Sequence, residues 1–529
     1  MSAKKQGCFE TTATAKNHCQ LLCIDHRNLE KRSKMNIQSF WEHYGILRNP
    51  FAEEDAQTDP VFKEHCISSA YHPTWDKLYG DPSEPSTAII FGPKGSGKTA
   101  MRLQIDRHLM RYNDEHPTKR VYVIRYDDFN PFLDHFAHRL SRFQSKKPEK
   151  VLDQWRLWDH MDSILCLGVT DLVSQAIASG DANKTGAIST AQLNQLDGTA
   201  TRDFLLLACC YDQSTDSTFG GRWEQLRKKL HYHNWKSSVS FWLGIIWAIL
   251  ATVFVVWLWR RDSIGDRTAL WLAPLLMLPG TLPYKLRWFQ CQLAAMGIHK
   301  HMRVGKRETG SLRQVLLRFP KAELASQPLP RFDRTDDRYE LLNKFKALLE
   351  KLGYTGTIVL MDRIDEPDMI GGKQELMRRF VWPILDNKLL KHPGIGFKLM
   401  LPQELQRDVE RESREFHERA RLDKQNVIPH FQWTGESLYD LMRARMLACA
   451  APGAKVEPKD LFVDAVTYQR LLTVFQSLRV PRHLFRFMYR VLVEHCNHYT
   501  DSQPKFQIDA ETFESVFAVY SREAETMST

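Results

Sequence analysis

One stretch of eight residues constrains this chain more than any other feature. Gly92 to Thr99 reads GPKGSGKT, which fits the phosphate-binding pattern G-x-x-x-x-G-K-[ST]. A β-rich apolar run, Ser86–Phe91, precedes it, and a helical pattern follows from Met101 onward. Strand, loop and helix in this order are the context that such a loop requires, so a chance glycine-rich turn is the weaker reading.

Each residue type in the loop has a chemical reason. The glycines let the backbone curl so that its N–H groups face phosphate oxygens, and the following helix adds its positive N-terminal end. Lys98 would reach the β- and γ-phosphates as a catalytic cation, and Thr99 would bind Mg²⁺ through its hydroxyl. The predicted nucleotide-binding residues of the loop are Gly92, Pro93, Lys94, Gly95, Ser96, Gly97, Lys98, Thr99 and Ala100.

A second stretch, TIVLMDRIDEP from Thr357 to Pro367, offers the other half of such a site. Its apolar part reads as a buried strand that ends in Asp362. A strand that delivers a carboxylate at its carboxyl end is the Walker B arrangement, and Asp362 would hold Mg²⁺ together with Thr99. ATP and Mg²⁺ are therefore the predicted ligands.

The acid that orients the attacking water is less clear from the sequence. In many ATPases a glutamate directly follows the Walker B aspartate, but here Arg363 stands in that place. Glu366 is the first candidate for this catalytic role and Asp365 the second. The alternative is that Arg363, Asp365 and Glu366 form a capped turn with ion pairs.

Further apolar runs alternate with helical patterns and follow the loop along the chain, at Arg120–Asp127, Gly394–Pro402 and Asn426–Trp433. The alternation predicts an α/β fold with a doubly wound parallel sheet and its ligand at the carboxyl ends of the strands. Gln403, which follows one of these strands, is a candidate polar sensor. The sequence after Trp433 has helical patterns, which predict a C-terminal helical lid.

In this C-terminal region, Pro481 is the predicted first residue of a helix, and several arginines lie near the start of that helix. Arg482 is the candidate there for a contact with the γ-phosphate. The alternative is a basic helix face in contact with solvent.

An apolar segment separates the two halves of the predicted site. Val239–Trp259 has 21 residues without a charge, which at ~1.5 Å per residue spans roughly the 30 Å of a bilayer core. Aromatic residues stand at both ends, as interfacial anchors would. Thr268–Tyr284 is also uncharged but has only 17 residues and three prolines, so it reads as the return leg of a hairpin. The alternative is a hairpin buried in a soluble helical subdomain.

Topology favours two crossings, because both halves of the site must meet on one side of the membrane. Basic residues flank the hairpin on its outer ends, at Arg222, Arg227, Lys228, Lys229, Lys236, Lys285 and Arg287. The positive-inside preference then predicts a multi-pass protein of the inner, cytoplasmic membrane with its nucleotide domain in the cytoplasm. The short loop also carries Arg260, Arg261 and Arg267, so the bias is modest.

The net charge of +10 suits anionic partners: nucleotides, an anionic membrane face or nucleic acid. Nucleic acid is the least favoured of these, because no base-reading module is recognisable. The ten cysteines show no repeated CxxC, which favours a reducing compartment over a disulfide scaffold. A homo-oligomer and a protein partner of unknown identity remain open.

With both motifs and the hairpin placed, the chain resembles KAP-type P-loop NTPases, in which transmembrane helices are inserted between Walker A and Walker B. The stretch Phe40–Phe62 instead resembles the start of secretion-pathway protein A ATPases, which are AAA+-like. Both resemblances imply an additional-strand P-loop ATPase that hydrolyses ATP with Mg²⁺ and couples it to conformational change. The alternatives are a nucleotide-binding switch or scaffold with little hydrolysis, and a DNA-binding AAA+-like ATPase.

The predicted organisation follows from these placements. It consists of a disordered tail (1–38), a first part of the NTPase domain (39–140), an inserted helical region (141–238), a transmembrane hairpin (239–284), a second part of the NTPase domain (285–433) and a helical lid (434–529).

Overall fold

The computed structural model describes residues 34–68, 70–141, 147–179, 188–214, 218–233, 239–261, 266–325, 327–385, 388–420, 422 and 425–528. The chain divides into two compact units. The first unit comprises the chain up to His72, the short piece Gly95–Gly97 and the C-terminal part from Trp433. The second unit comprises Pro73–Lys94 and Lys98–Gln432.

Helices dominate the described part of the chain. In chain order the elements are α1 (Ile37–His43), α2 (Trp75–Tyr79), β1 (Ala88–Gly92), α3 (Lys98–Glu115), β2 (Arg120–Tyr126), α4 (Asn130–Arg139), α5 (Pro148–Leu152), α6 (Leu157–Ile177), α7 (Thr190–Asn194), α8 (Gly198–Tyr211), α9 (Phe219–Lys229), α10 (Val239–Arg260), α11 (Asp266–His301), α12 (Thr309–Leu316), α13 (Lys321–Ala325), α14 (Thr335–Lys351), β3 (Tyr354–Met361), α15 (Gln374–Leu385), β4 (Ile395–Pro402), α16 (Glu404–Glu410), α17 (Arg414–Ala420), β5 (Asn426–Ile428), α18 (Gly435–Cys449), α19 (Tyr468–Leu478), α20 (Pro481–His498) and α21 (Ala510–Ser528).

The second unit is built on a five-stranded sheet in the order β2-β3-β4-β1-β5. Every pairing is parallel, so the predicted α/β fold with a parallel sheet is confirmed. All five predicted runs form strands. The last strand is shorter than predicted: it stops at Ile428, directly before Pro429, which has no N–H to donate to a neighbouring strand.

Both faces of this sheet are covered. In β1, Ile89 and Phe91 belong to one buried cluster, whereas Ala88 and Ile90 belong to another. This alternation follows from the two-residue period of a strand. Strands that are apolar on both faces are typical of a parallel sheet with helices on either side, as the continuous apolar runs predicted.

Between β2 and β3 the described secondary-structure elements are all helices, α4 to α14. Helix α6 carries two buried aspartates. Each of these aspartates forms an ion pair with an arginine that lies outside the helix. The guanidinium of Arg338 in α14 lies 3.2 Å from the Asp162 carboxylate, and that of Arg303 lies 2.5 Å from Asp159. Buried ion pairs of this kind hold only where the remaining lone pairs are also satisfied.

Helix α10 is exposed, and within the described residues it is the one helix long and apolar enough to cross a membrane. Its window Trp242–Arg260 has a mean hydropathy of 2.2, and only 6% of that window is buried. The alternative reading, in which this segment lies buried in a soluble globule, is therefore wrong. Exposed apolar surface of this size marks a membrane or an interaction surface.

The predicted second span lies in the first part of α11, which runs on to His301 without ending at any of its three prolines. In the described residues this segment does not meet the length and hydropathy of a span. It does pack along α10: the Trp247 indole N–H donates to the carbonyl of Leu276 at 2.9 Å. Gly244 permits the close approach, because a Cβ there would lie 2.8 Å from the carbonyl oxygen of Gly280.

In the first unit, residues from Lys34 onward pack with the C-terminal helices. The Arg445 guanidinium donates to the Asp59 carboxylate at 2.6 Å, and both side chains are buried. The Met35 N–H donates to the carbonyl of Tyr499 at 3.0 Å. The predicted NTPase domain began at residue 39, whereas the residues up to His72 group with the predicted lid. Residues 1–33 of the predicted tail lie outside the described residues.

Candidate nucleotide-binding site

The phosphate-loop sequence adopts the predicted strand, loop and helix. Strand β1 ends at Gly92, and α3 begins at Lys98. Gly95 and Gly97 have φ values of +85° and +93°, a backbone region that glycine occupies without strain. Gly92 is not left-handed; it is the last residue of β1 and pairs with Pro402. Thr99 and Ala100 lie in the first turn of α3, and Lys94 is exposed.

Lys98 folds back over the start of the loop. Its ammonium donates hydrogen bonds to the carbonyls of Gly92 at 2.7 Å and Pro93 at 3.0 Å. These bonds place a cation beside the carboxyl end of β1. That is where the phosphates of a nucleotide lie in sites of this class.

Asp362 follows β3 and is 2% exposed. Burial raises the pKa of its carboxyl, while the hydrogen bond from the Thr99 hydroxyl and the charges of Arg102 and Lys98 lower it. The fold thus brings Asp362 to Thr99 and Lys98, which are neighbours in the sequence and lie far from Asp362 along the chain. That these three residues form the two halves of one nucleotide site stays a prediction.

The Asp362 carboxylate is incompletely satisfied. Its Oδ2 atom is buried and has no hydrogen-bond partner among the residues that the structure describes. Asp362 and Thr99 are oxygen ligands of the kind Mg²⁺ prefers, and Mg²⁺ usually takes only one or two carboxylates beside substrate phosphates. No larger group of three or more His, Cys, Asp and Glu side chains that could hold a metal occurs in the described part of the chain. The residues present therefore fit a magnesium–nucleotide complex.

The structure adds two residues that the sequence reading missed. The Arg102 guanidinium lies 3.0 Å from the Asp127 carboxylate and 3.5 Å from that of Asp362, and its side chain is 4% exposed. Its Nε atom has no hydrogen-bond partner among the described residues. Two features of the sequence could have pointed to these residues. Arg102 is one helical turn beyond Lys98, and Asp127 directly follows β2, the neighbour of β3.

Of the two predicted water-orienting acids, Glu366 forms an ion pair. The Arg363 guanidinium lies 2.7 Å from the Glu366 carboxylate, which is more than half exposed. Arg363 itself has a left-handed φ of +64°. Asp365 is half-buried, and its backbone carbonyl accepts a hydrogen bond from Gly372. This arrangement is the turn with an ion pair that was the alternative reading of these three residues.

Gln403 lies at the end of β4, next to the start of the loop. Its backbone N–H donates to the carbonyl of Gly92 at 3.1 Å. Its side-chain Nε2 donates to the carbonyl of Pro429 at 3.1 Å, and its Oε1 is buried without a partner among the described residues. The prediction of a polar side chain at this edge of the sheet is confirmed in position, and its role as a sensor stays a prediction.

Within the first unit, the piece Gly95–Gly97 contacts Trp433 and Arg482. The Arg482 N–H donates to the carbonyl of Gly95 at 3.3 Å, and a Cβ on Gly95 would lie 2.7 Å from the Arg482 Cβ. Ser96 is fully buried, and its carbonyl accepts the Trp433 indole N–H at 2.8 Å. Glu54 lies 3.7 Å from the guanidinium of Arg482. Arg482 thus lies against Gly95 with a carboxylate beside its charge, and its contact with a γ-phosphate stays a prediction.

Comparisons with protein-family models, curated proteins and solved structures found no match. The case for a function therefore depends on the site itself. Its strongest element is the convergence of an ammonium, a hydroxyl and a carboxylate at the carboxyl edge of a parallel sheet.

Proposed function

We propose that this chain is a membrane-anchored P-loop ATPase that binds ATP with Mg²⁺ and couples hydrolysis to conformational change in the membrane or in a partner. The single observation that carries the proposal is the contact of Thr99 and Asp362 beside the Lys98 ammonium. Helix α3 and strand β3 bring these groups together from distant parts of the chain. Strand β3 belongs to the sheet, and α3 packs against it.

Each side chain has one task in this proposal. Lys98 stabilises the negative charge that develops on the transferred phosphate, and the loop amides hold the phosphates. Thr99 and Asp362, whose Oδ2 has no hydrogen-bond partner among the described residues, would hold Mg²⁺, which when bound would neutralise phosphate charge. Catalysis is then positioning and electrostatics without a covalent intermediate. Glu366 and Asp365 remain the predicted water-orienting acids, and Asp127 joins them because it pairs with Arg102, which also contacts Asp362.

The order of the strands supports the additional-strand class that the resemblances imply. Strand β4 stands between β1, which leads into the phosphate loop, and β3, which ends in Asp362. Insertion of helices and an exposed apolar hairpin between the two motifs supports the likeness to KAP-type NTPases in particular.

The finer part of the membrane proposal is that α10 and the first part of α11 cross the bilayer as a hairpin. Strands β2 and β3 pair with each other in one sheet, so the chain must return to the side from which it left. The contacts of Trp247 with Leu276 and of Gly244 with Gly280 support a paired arrangement of the two legs. The shorter second leg is then shielded by α10 on one side.

Lys98→Ala tests the enzymatic half. In detergent-purified protein we expect ATP turnover to fall by about 10²-fold or more, because a charge stabilised in the transition state is lost. Lys373→Ala is the matched control, since Lys373 is exposed and lies outside the site. Equal turnover in Lys98→Ala and the parent protein would contradict the proposal.

Accessibility labelling tests the membrane half. Alkaline carbonate washing is expected to leave the protein in the membrane pellet. A cysteine introduced by Ser263→Cys, between α10 and α11, is expected to react with an impermeant maleimide from the non-cytoplasmic side only. Release by carbonate, or labelling from the cytoplasmic side, would remove the hairpin from the proposal and leave the ATPase half untouched.

A second candidate function, a nucleotide-dependent switch with little hydrolysis, is favoured by two contacts. Arg363 engages Glu366, and Arg102 places a positive charge 3.5 Å from Asp362, where it competes with Mg²⁺. Measuring the affinity for Mg·ATP beside the turnover separates the two functions. Tight binding with turnover that Lys98→Ala does not change would establish the switch.

A further inference from the structure

The apolar surface of the hairpin does not stop where its predicted span ends. Beyond Tyr284, α11 presents a stripe of large side chains that are each about half exposed: Leu286 (54%), Phe289 (55%), Leu293 (51%) and Met296 (50%). Their spacing of three, four and three residues places them on one helix face. A helix that leaves the bilayer core would normally turn polar here, so this stripe needs a cover.

A groove of about 520 Å³ opens beside the stripe. One wall is α11, from Arg287 to Gly297, and the other is formed by Phe319, α13 and the segment Arg331–Phe332. Its lining combines apolar side chains, among them Leu293 and Phe332, with three cationic ones: Arg287, Lys321 and Arg331.

No acidic side chain is among the residues that line the groove. Two carboxylates nearby in sequence are used elsewhere: Glu323 accepts the hydroxyl of Tyr232, and Asp333 pairs with His301. Asp337 acts on Arg331 by its charge alone. Arg331 has no ion-pair partner in the described part of the chain, and its Nε is buried without a hydrogen bond. Asp337 thus compensates this half-buried cation only in part, and no ion pair or hydrogen bond completes its Nε.

The position of the groove along α11 also matches the headgroup layer of a membrane. At ~1.5 Å per residue, Arg287 lies only about 5 Å along the helix from Tyr284, the predicted end of the apolar leg. The polar headgroup layer of a bilayer is roughly 5–8 Å thick on each side. The groove therefore begins at the level of the lipid headgroups, if the hairpin crosses the membrane as proposed.

We propose that this groove binds an anionic phospholipid, with the headgroup phosphate at Lys321 and Arg331 and an acyl chain along the stripe of α11. Charge complementarity selects an anionic headgroup, and continuity with the apolar hairpin selects a lipid over a free anion. The inference rests on the membrane half of the proposed function and is independent of ATP hydrolysis. Bound lipid would link the hairpin to α13 and to the segment that leads into α14.

Native mass spectrometry of detergent-solubilised protein tests this site with phosphatidylglycerol and phosphatidylcholine of equal chain length. We expect preferential retention of phosphatidylglycerol, and a loss of about fivefold for each charge removed in Lys321→Gln and Arg331→Gln. Lys373→Gln with Arg414→Gln is the charge-matched control, because both side chains are exposed and lie outside the groove. Leu293→Asn should weaken retention of either lipid, and its exposed position spares the fold.

Three outcomes would overturn the lipid site: equal retention of both lipids, unchanged retention in the Lys321→Gln variant, or full displacement by inorganic phosphate. Lys321 is exposed, so this variant reports even where Arg331→Gln fails to fold. Failure of the membrane anchor itself shows separately, as release of the unmodified protein by carbonate.

Discussion

Two buried aspartates of this chain meet an arginine in different ways. Asp162, in the inserted helices, is fully buried, and both of its oxygens are used: Oδ1 accepts the Tyr211 hydroxyl at 2.9 Å, and Oδ2 accepts Arg338 at 3.2 Å. Asp362, which follows β3, is 2% exposed, yet its Oδ2 accepts no hydrogen bond from the described residues, and the Arg102 Nε with which it forms an ion pair lies 3.5 Å away.

The difference teaches which observation identifies a site. Burial raises the pKa of both carboxyl groups, so neither burial nor pKa separates them. Unmet hydrogen-bond capacity does separate the two carboxyl groups. A buried polar atom without a hydrogen-bond partner costs about 1–3 kcal/mol unless a water, an ion or a ligand takes the partner's place. In Asp162 the protein completes the carboxylate itself. In Asp362 the completion is left to a ligand, which we propose is Mg²⁺ with a nucleotide.

The largest effect is expected from Asp162→Asn. This variant leaves Arg338 buried without the carboxylate that compensates it, and we expect a loss of about 3–5 kcal/mol in the free energy of unfolding. Denaturant titration of the purified protein measures it. A loss below about 1 kcal/mol would mean that the Asp162–Arg338 ion pair does not stabilise the inserted helices.

Lys398 provides a third case, a buried charge with no ligand to complete it. Its side chain in β4 is fully buried, its ammonium has no hydrogen-bond partner among the described residues, and burial lowers the pKa of Lys398 to about 8. Between pH 8 and the ordinary value of 10.5 the unfolded chain binds more protons, so stability rises with pH across this window.

Lys398→Met should therefore stabilise the protein at pH 7 by up to about 3 kcal/mol, and the advantage should shrink as pH rises towards 10.5. Unfolding curves of both proteins at pH 7 and pH 10 check this. Parallel pH dependence of the two proteins would show that the Lys398 ammonium finds a partner in solution.

Asp362→Asn is the direct counterpart of Asp162→Asn. Without nucleotide we expect a change of less than about 1 kcal/mol, because Asp127 still compensates Arg102 and a neutral amide is cheaper to bury. The thermal shift that Mg·ATP produces in the parent protein should disappear. A large loss of stability without nucleotide would make Asp362 structural, like Asp162, and end the distinction between the two.

The smallest effect concerns Arg363. Glycine tolerates the φ of +64° better than arginine does, but Arg363→Gly also loses the exposed ion pair with Glu366. We expect a net gain of about 0.5 kcal/mol in the free energy of unfolding. If Glu366 orients water, its release should also raise ATP turnover, and unchanged turnover in Arg363→Gly would favour Asp127 for that role.

Much of this architecture was predictable from the sequence. The five strands, the glycine loop and the exposed apolar helix each follow from residues that are close together in the chain, since strand and helix periods act locally. Local patterns left open whether Glu366 pairs with Arg363, and they did not reveal that residues up to His72 group with the C-terminal helices or that α11 continues through its prolines to His301.

The sequence alone thus determined the elements and the side chains that they carry: a glycine-rich loop between a strand and a helix, a strand followed by an aspartate, and a long apolar helix. Tertiary structure decided what those elements do to one another. It placed β4 between the two motif strands, set Arg102 between Asp127 and Asp362, and opened a cationic groove beside α11. The reason is physical: the environment of a buried charge is made by residues distant in sequence, which only the order of the strands and the packing of the helices bring together.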